Sequence, residues 1–123
     1  MADVVHIDPA TNSVVGRVAE SGPPIVDGGR VWIERPFSLD QVDPATNKVV
    51  KRIALPETTG WGAAGLGSVW VPTKSGLARV DEQSEKLVGL RKGLPPCSMA
   101  AVGADSIWLA SPEQNKLLRY QPS

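Results

Sequence analysis

Ser68-Val69-Trp70-Val71 lies in the middle of the chain, and its setting recurs on either side as Arg30-Val31-Trp32-Ile33 and Ser106-Ile107-Trp108-Leu109. The step from Trp32 to Trp70 equals the step from Trp70 to Trp108. A second element repeats with them. Ile7-Asp8-Pro9-Ala10-Thr11-Asn12-Ser13-Val14-Val15 is nearly duplicated by Val42-Asp43-Pro44-Ala45-Thr46-Asn47-Lys48-Val49-Val50, with a weaker copy in Val80-Asp81-Glu82-Gln83-Ser84-Glu85-Lys86-Leu87-Val88. The step from Asp8 to Asp43 is slightly shorter than that from Asp43 to Asp81, so length changes fall in the loops. A fixed period of this size means that each copy is one supersecondary unit, which buries its apolar faces against its neighbours.

Within one period the signals are for four short strands. A small-residue stretch at 61–65 is followed by runs at 68–71, 77–81 and 86–90 that are β-branched, aliphatic or aromatic and are bounded by turn residues. The Asp-Pro-Ala-Thr-Asn loop joins the third strand to the fourth. Asp accepts hydrogen bonds from nearby backbone N–H groups, Pro presets φ, and Asn tolerates the left-handed conformation that closes the hairpin. Glu85 holds the Asn position in the third copy, so that turn should be the most strained. Four antiparallel strands in each period of this length form the unit of a β-propeller blade. The fold expected is all-β, with about three blades per chain and a ring completed by oligomerisation. A strand pair falls at 3–8 and 13–19, full blades at 23–54 and 61–91, and three strands at 98–121, thirteen strands in all. As a single partial propeller the chain divides into end strands at 1–20, blades at 21–55 and 56–93, and an incomplete blade at 94–123.

Composition agrees with this and excludes several functions. Thirteen Lys and Arg balance thirteen Asp and Glu, so no basic footprint marks a nucleic acid or an anionic membrane as partner. The chain is 41% hydrophobic and 21% charged, which suits a packed core. Twelve Gly and eleven Pro are spread throughout, and turns therefore come too often for long helices. No apolar run approaches a membrane span, and Met1-Ala2-Asp3 lacks the features of a signal peptide; a soluble protein of unknown compartment is expected. Cys97 is the single cysteine, so neither an internal disulfide nor a cysteine metal site is expected.

The combination of Gly-x-x-Ser-Val-Trp-Val (65–71), Ala-Arg-Val-Asp (78–81) and Asp-Pro-Ala-Thr-Asn-Lys-Val-Val (43–50) resembles the blades of virginiamycin B lyase-like and related Tyr-Val-Thr-Asn-type bacterial propellers. The resemblance spans nearly all 123 residues and rests on structural motifs. It implies a seven-bladed ring, of which this chain supplies a part. Lyases of that family use a His and a metal, held with acidic help on one face of the ring. His6, the single histidine, matches no such motif and reads as a surface or packed side chain.

No catalytic residue, cofactor or metal ligand is expected. Asp8, Asp43 and Asp81 recur at the same turn and read as turn caps rather than a carboxylate cluster. Trp32, Trp70 and Trp108, repeated in mid-strand, read as core between blades. Lys51-Arg52 and Arg91-Lys92 read as solvated strand ends that guard exposed edges. Cys97, beside Pro95-Pro96, has no basic partner to activate it. Positions that break the repeat are more informative. Trp61 lies nine residues before Trp70, where the other copies have Pro23 and Met99. Trp61, Met99 and Pro23 are the candidate ligand-binding residues, expected as an apolar funnel at the mouth of the central channel.

The function expected is a non-enzymatic propeller repeat module that self-assembles and binds a small molecule or protein at the channel mouth. The alternatives are a fragment of a propeller lyase or hydrolase related to virginiamycin B lyase, or an engineered propeller fragment. The partner expected is a second copy. Two chains give six blades, with the strand at 3–8 in surplus; their twenty-six strands also fall two short of a seven-bladed ring.

Overall fold

A computed structural model describes residues 4–18, 22–95 and 97–122. Met1-Ala2-Asp3, the Ala19 end of the second expected strand and Pro96 lie outside the described residues. The first sheet pairs β1 (Val4–Asp8) with β2 (Ser13–Val18). The second runs in order through β3 (Pro24–Asp27), β4 (Arg30–Glu34), β5 (Ser38–Asp43) and β6 (Lys48–Ala54). The third holds β7 (Ala63–Gly65), β8 (Ser68–Thr73), β9 (Gly76–Asp81) and β10 (Lys86–Arg91). The fourth holds β11 (Met99–Gly103), β12 (Ser106–Ser111) and β13 (Lys116–Tyr120). Every pairing between these strands is antiparallel, and one 3₁₀ turn at Pro112–Gln114 precedes β13. The second and third sheets are propeller blades in strand number, order and direction, the first and fourth are parts of blades, and the described residues do not close a ring.

The repeat is carried by local chemistry. The backbone N–H of Ala10, Ala45 and Ser84 donates to the carboxylate of Asp8, Asp43 and Asp81 at 2.9, 2.9 and 2.7 Å. Asn12, Asn47 and Glu85 then adopt φ of 56°, 58° and 58°, and each donates its N–H to the same aspartate's carbonyl. Glu85 thus occupies the left-handed conformation without the local side-chain bonding that makes Asn tolerant of it. After each turn the last strand carries a bulge that skips Val15, Val50 or Val88. The bulge turns these three valines outward, which is why they are exposed despite their place in apolar runs.

Tight hairpins join the first two strands of each blade at Gly28-Gly29, Leu66-Gly67 and Ala104-Asp105, all at positive φ. Such two-residue turns match the twist of the strands they connect and favour Asn-Gly, so Leu66 and Ala104 are held at a steric cost.

The core forms where sheets face one another. Trp32 and Leu39 pack on Val69, Val71 and Val80, while Trp70 and Leu77 pack on Ile107, Leu109 and Ala100. Trp32 is fully buried and Trp70 is 1% exposed, as interblade residues should be. Trp108 departs from that expectation and is partly exposed, because among the described residues no blade covers its side of the last sheet. A clasp accompanies Trp70 and Trp108. Arg79 donates through Nε to Ser68 Oγ at 2.9 Å and lies 4.7 Å over the Trp70 ring; Arg119 does the same to Ser106 at 2.7 Å, 5.2 Å over Trp108. The two indoles donate to the carbonyls of Gly65 and Gly103, each at 3.1 Å. Arg30 and Gln41 replace Ser and Arg in the first copy, and the buried Trp32 Nε1 is turned toward the Glu82 carboxyl instead of a backbone carbonyl, with no well-formed hydrogen bond among the described residues.

Lys51-Arg52 and Arg91-Lys92 are exposed, in keeping with their reading as solvated strand ends, and two of these residues also hold partners. Arg52 grips Asp40, whose side chain is fully buried, through Nε at 3.1 Å from both carboxylate oxygens and Nη2 at 3.0 Å from Oδ2. A buried carboxylate needs such a counter-charge. Arg91 lies 5.1 Å over the Tyr120 ring and so ties the third sheet to the fourth.

Candidate functional site

Among the first strands, β7 adjoins β3 on one side and β11 on the other. At the end where the chain enters them, each blade seam is flanked by the loop between its second and third strands and by the connection from the preceding blade. A groove of about 490 Å³ occupies the seam between the second and third sheets. Pro23, Glu34, Pro36, Phe37, Trp61 and Ser98 are among its lining residues. Trp61 is 58% exposed and Phe37, the only phenylalanine, 61%. Trp61 is fixed through its backbone, since its N–H donates to the Ser98 carbonyl at 3.0 Å and its carbonyl accepts from Ala100 N–H at 2.8 Å. The chain therefore holds the indole against solvent without burying it.

Of the three candidate residues, Pro23 and Trp61 share this groove. Met99 is paired to Trp61 by a parallel bridge and is exposed, but it does not line the groove.

Glu34 was not among the candidates, and it is the chemically distinctive residue here. It is 5% exposed at the end of β4, and its Oε1 accepts the Gly62 N–H at 2.7 Å. Burial raises its pKa to about 7, opposed by the Gly62 hydrogen bond. Gly62 has no space for a side chain, since a Cβ would lie 2.6 Å from the Trp70 carbonyl oxygen. The signal was present in the repeat, where Pro72 and Ala110 hold the equivalent place. Around the groove, Glu57 is paired with Lys74 at 2.9 Å and Arg35 makes its own contacts.

A second groove of about 460 Å³ lies at the next seam, lined by Thr59, Leu94, Pro95, Cys97, Pro112 and Glu113 among others. Cys97 is buried, burial raises its thiol pKa, and its Sγ lies 3.1 Å from the Pro95 carbonyl oxygen. These features describe an inert packed thiol. His6 Nδ1 lies 3.0 Å from Asn47 Oδ1 in an exposed setting, well separated in sequence from the groove residues. Among the described residues no three His, Cys, Asp or Glu side chains are grouped to hold a metal ion, and no helix is long and apolar enough to cross a membrane.

No family model matches the chain, and no curated protein sequence does. Solved structures do. Hydrazine synthase of Kuenenia stuttgartiensis superposes with a TM-score of 0.70 at 16% identity, over 96% of this chain and 42% of that one. The dihydro-heme d1 dehydrogenase NirN, in its complex with DHE, superposes with a TM-score of 0.56 at 13% identity, over 94% of this chain and 32% of that one. Both are β-propeller-containing proteins, and the likeness establishes a propeller-like β fold. The chain spans less than half of either, at an identity that carries fold alone.

Proposed function

We propose that the chain is a propeller repeat module that associates with a second copy to complete its ring and offers the Trp61 groove as a binding face. The observation that carries this reading is Val26. It is 66% exposed, whereas Ala64 and Val102, its mates one and two periods on, are packed against the preceding blade. Beside Val26 an apolar slot of about 350 Å³ runs to the free edge of β1, lined also by Val5, Ile7, Pro24 and Val31. It is the space that the first two strands of a complete blade would fill.

The other end of the chain supplies matching surface. Trp108 is partly exposed, and Met99 and Leu117 are 47% and 69% exposed. Within the chain, Trp32 packs on Val69 and Val71 of the following blade. Trp108 of one copy would meet the half-buried Val31 of the other by the same rule. A twofold arrangement covers both ends at once and pairs strand edges that otherwise invite aggregation. The repeat gives β1 and β13 the same place in a blade, so one of the two is displaced at each junction. The finer likeness to virginiamycin B lyase-like blades, resting on the motifs at 43–50, 65–71 and 78–81, belongs to this proposal as one of blade type.

Sedimentation equilibrium of the native chain and of Val26→Glu tests the association. The proposal requires a self-associating native chain whose dissociation constant rises at least about tenfold in the variant, since a buried unpaired charge at an interface is costly. Association that is indifferent to Val26→Glu would overturn the proposed contact.

A further inference from the structure

The Trp61 groove differs from its repeat-related neighbour in one combination: apolar walls with two exposed aromatic rings, over a buried carboxyl group. The walls are Pro23, Pro36, Phe37 and Trp61, and the carboxyl is that of Glu34. In the next copy Pro72 stands in place of Glu34, and the shorter loop between β8 and β9 has Ser75 in place of Phe37. Both departures from the repeat converge on one seam.

We infer that this groove takes a small organic ammonium ion, with its charged nitrogen at Glu34 and its apolar body against Trp61 and Phe37. The inference rests on the proposed role of the groove as a binding face and adds the chemical class of the ligand. A carboxylate this deeply buried is costly without a counter-charge, and the partner that the structure gives Glu34 is a neutral N–H. Of the cationic side chains at the rim, Lys74 is already paired with Glu57 at 2.9 Å, and Arg35 has contacts of its own. The two exposed rings offer π faces, which attract an ammonium ion and its alkyl or aryl body together. A groove of about 490 Å³ falls in the range of small-molecule sites. A neutral hydroxylated ligand can donate to the ionised form of Glu34 or accept from the protonated one and so depends on its charge only weakly, whereas an ammonium ion selects the ionised form.

The probe is 2-phenylethylammonium chloride, followed by NMR at the Trp61 indole N–H of the native chain, with 2-phenylethanol as the uncharged comparison. The groups around Glu34 that bear charge are Arg35, Glu57 and Lys74, and Glu34 is the one whose ionisation is brought near neutrality. Binding is therefore expected to tighten on the order of tenfold between pH 5.5 and pH 8 as Glu34 loses its proton. Glu34→Gln should weaken binding by a similar factor and remove the pH dependence, and Trp61→Ala, followed at the Gly62 backbone N–H that sits on Glu34, should weaken it without altering the fold. Should Glu34→Gln fail to fold, the comparison of the two probes on the native chain still decides. Equal binding of the alcohol and the ammonium ion would overturn the charge requirement while leaving the groove a binding face. No change at Trp61 with either probe would overturn both.

Discussion

The N–H of Gly62 and the carboxylate of Glu34 meet at 2.7 Å across the seam between two blades, and the contact joins residues 28 positions apart. Its strength depends on protonation. Glu34 is ordinarily ionised above pH 4.5, and burial moves that transition to about 7. Between these values the folded state holds a proton that the unfolded state has lost, so stability falls as pH rises from 4.5 to 7. Glu82, raised by burial and by the nearby Asp27 carboxylate, acts in the same direction. Urea unfolding at pH 5 and pH 8 should show the native chain less stable at pH 8, by up to roughly 3 kcal/mol from Glu34. Glu34→Gln should flatten most of that difference; an unchanged difference would show that Glu34 does not titrate in this range.

Arg52 and Asp40 replace an apolar cross-strand pair, since Leu90 and Ala78 hold the same places one copy later. Arg52→Met leaves a fully buried carboxylate without its counter-charge, held by the Ser38 hydroxyl at 2.8 Å, and should cost about 1–2 kcal/mol because the Arg52 side chain is itself largely exposed. The double variant Asp40→Ala with Arg52→Leu imports the pair used one copy later and should recover most of the loss. Denaturant midpoints for the two variants check this, and a double variant no better than Arg52→Met would refute it.

These two pairs show how the sequence could and could not be read. The repeat of Trp and of Asp-Pro-Ala-Thr-Asn made the blades legible, because both elements work through local geometry that every copy shares. The exposure of Trp61 followed from its place before a first strand. Asp40 and Glu34 were missed for one physical reason: each is a charged residue at a position that other copies use for packing. A deviation of this kind signals a special role only when the copies are aligned residue by residue. The burial of an acid, and the arginine or glycine that tolerates it, depends on contacts across strands and seams. Trp108 shows the opposite limit, for its repeat position predicts burial and its uncovered blade face denies it.

Strain at the turns gives a prediction independent of any ligand. Leu66 and Glu85 both sit at positive φ, at 53° and 58°. Leu66→Asn creates the Asn-Gly pair that such hairpins favour, and Glu85→Asn restores the residue found in the other two copies. Each should stabilise by about 0.5–1 kcal/mol; the Glu82 N–H donates to the Gly67 carbonyl at 3.1 Å and so links the two turns, and the double variant should gain more than either single one. Thermal unfolding of the single and double variants measures this, and a destabilised double variant would contradict the turn assignment.

Trp70 and Trp61 should behave as opposites. Trp70→Ala removes a buried ring, its bond to Gly65 and its contact with Arg79, and should cost about 3–5 kcal/mol. Trp61→Ala removes an exposed ring and should cost less than about 0.5 kcal/mol. Calorimetry separates the two, and equal losses would mean that the groove is part of the core.

In the proposed assembly two copies complete what one leaves open, with Val26 of each covered by the blade that carries Trp108 of the other. Light scattering at micromolar concentration measures this directly. The expected mass is twice the 13.0 kDa of one chain. A folded, soluble particle with the mass of a single chain, its Val26 and Trp108 open to water, would contradict it.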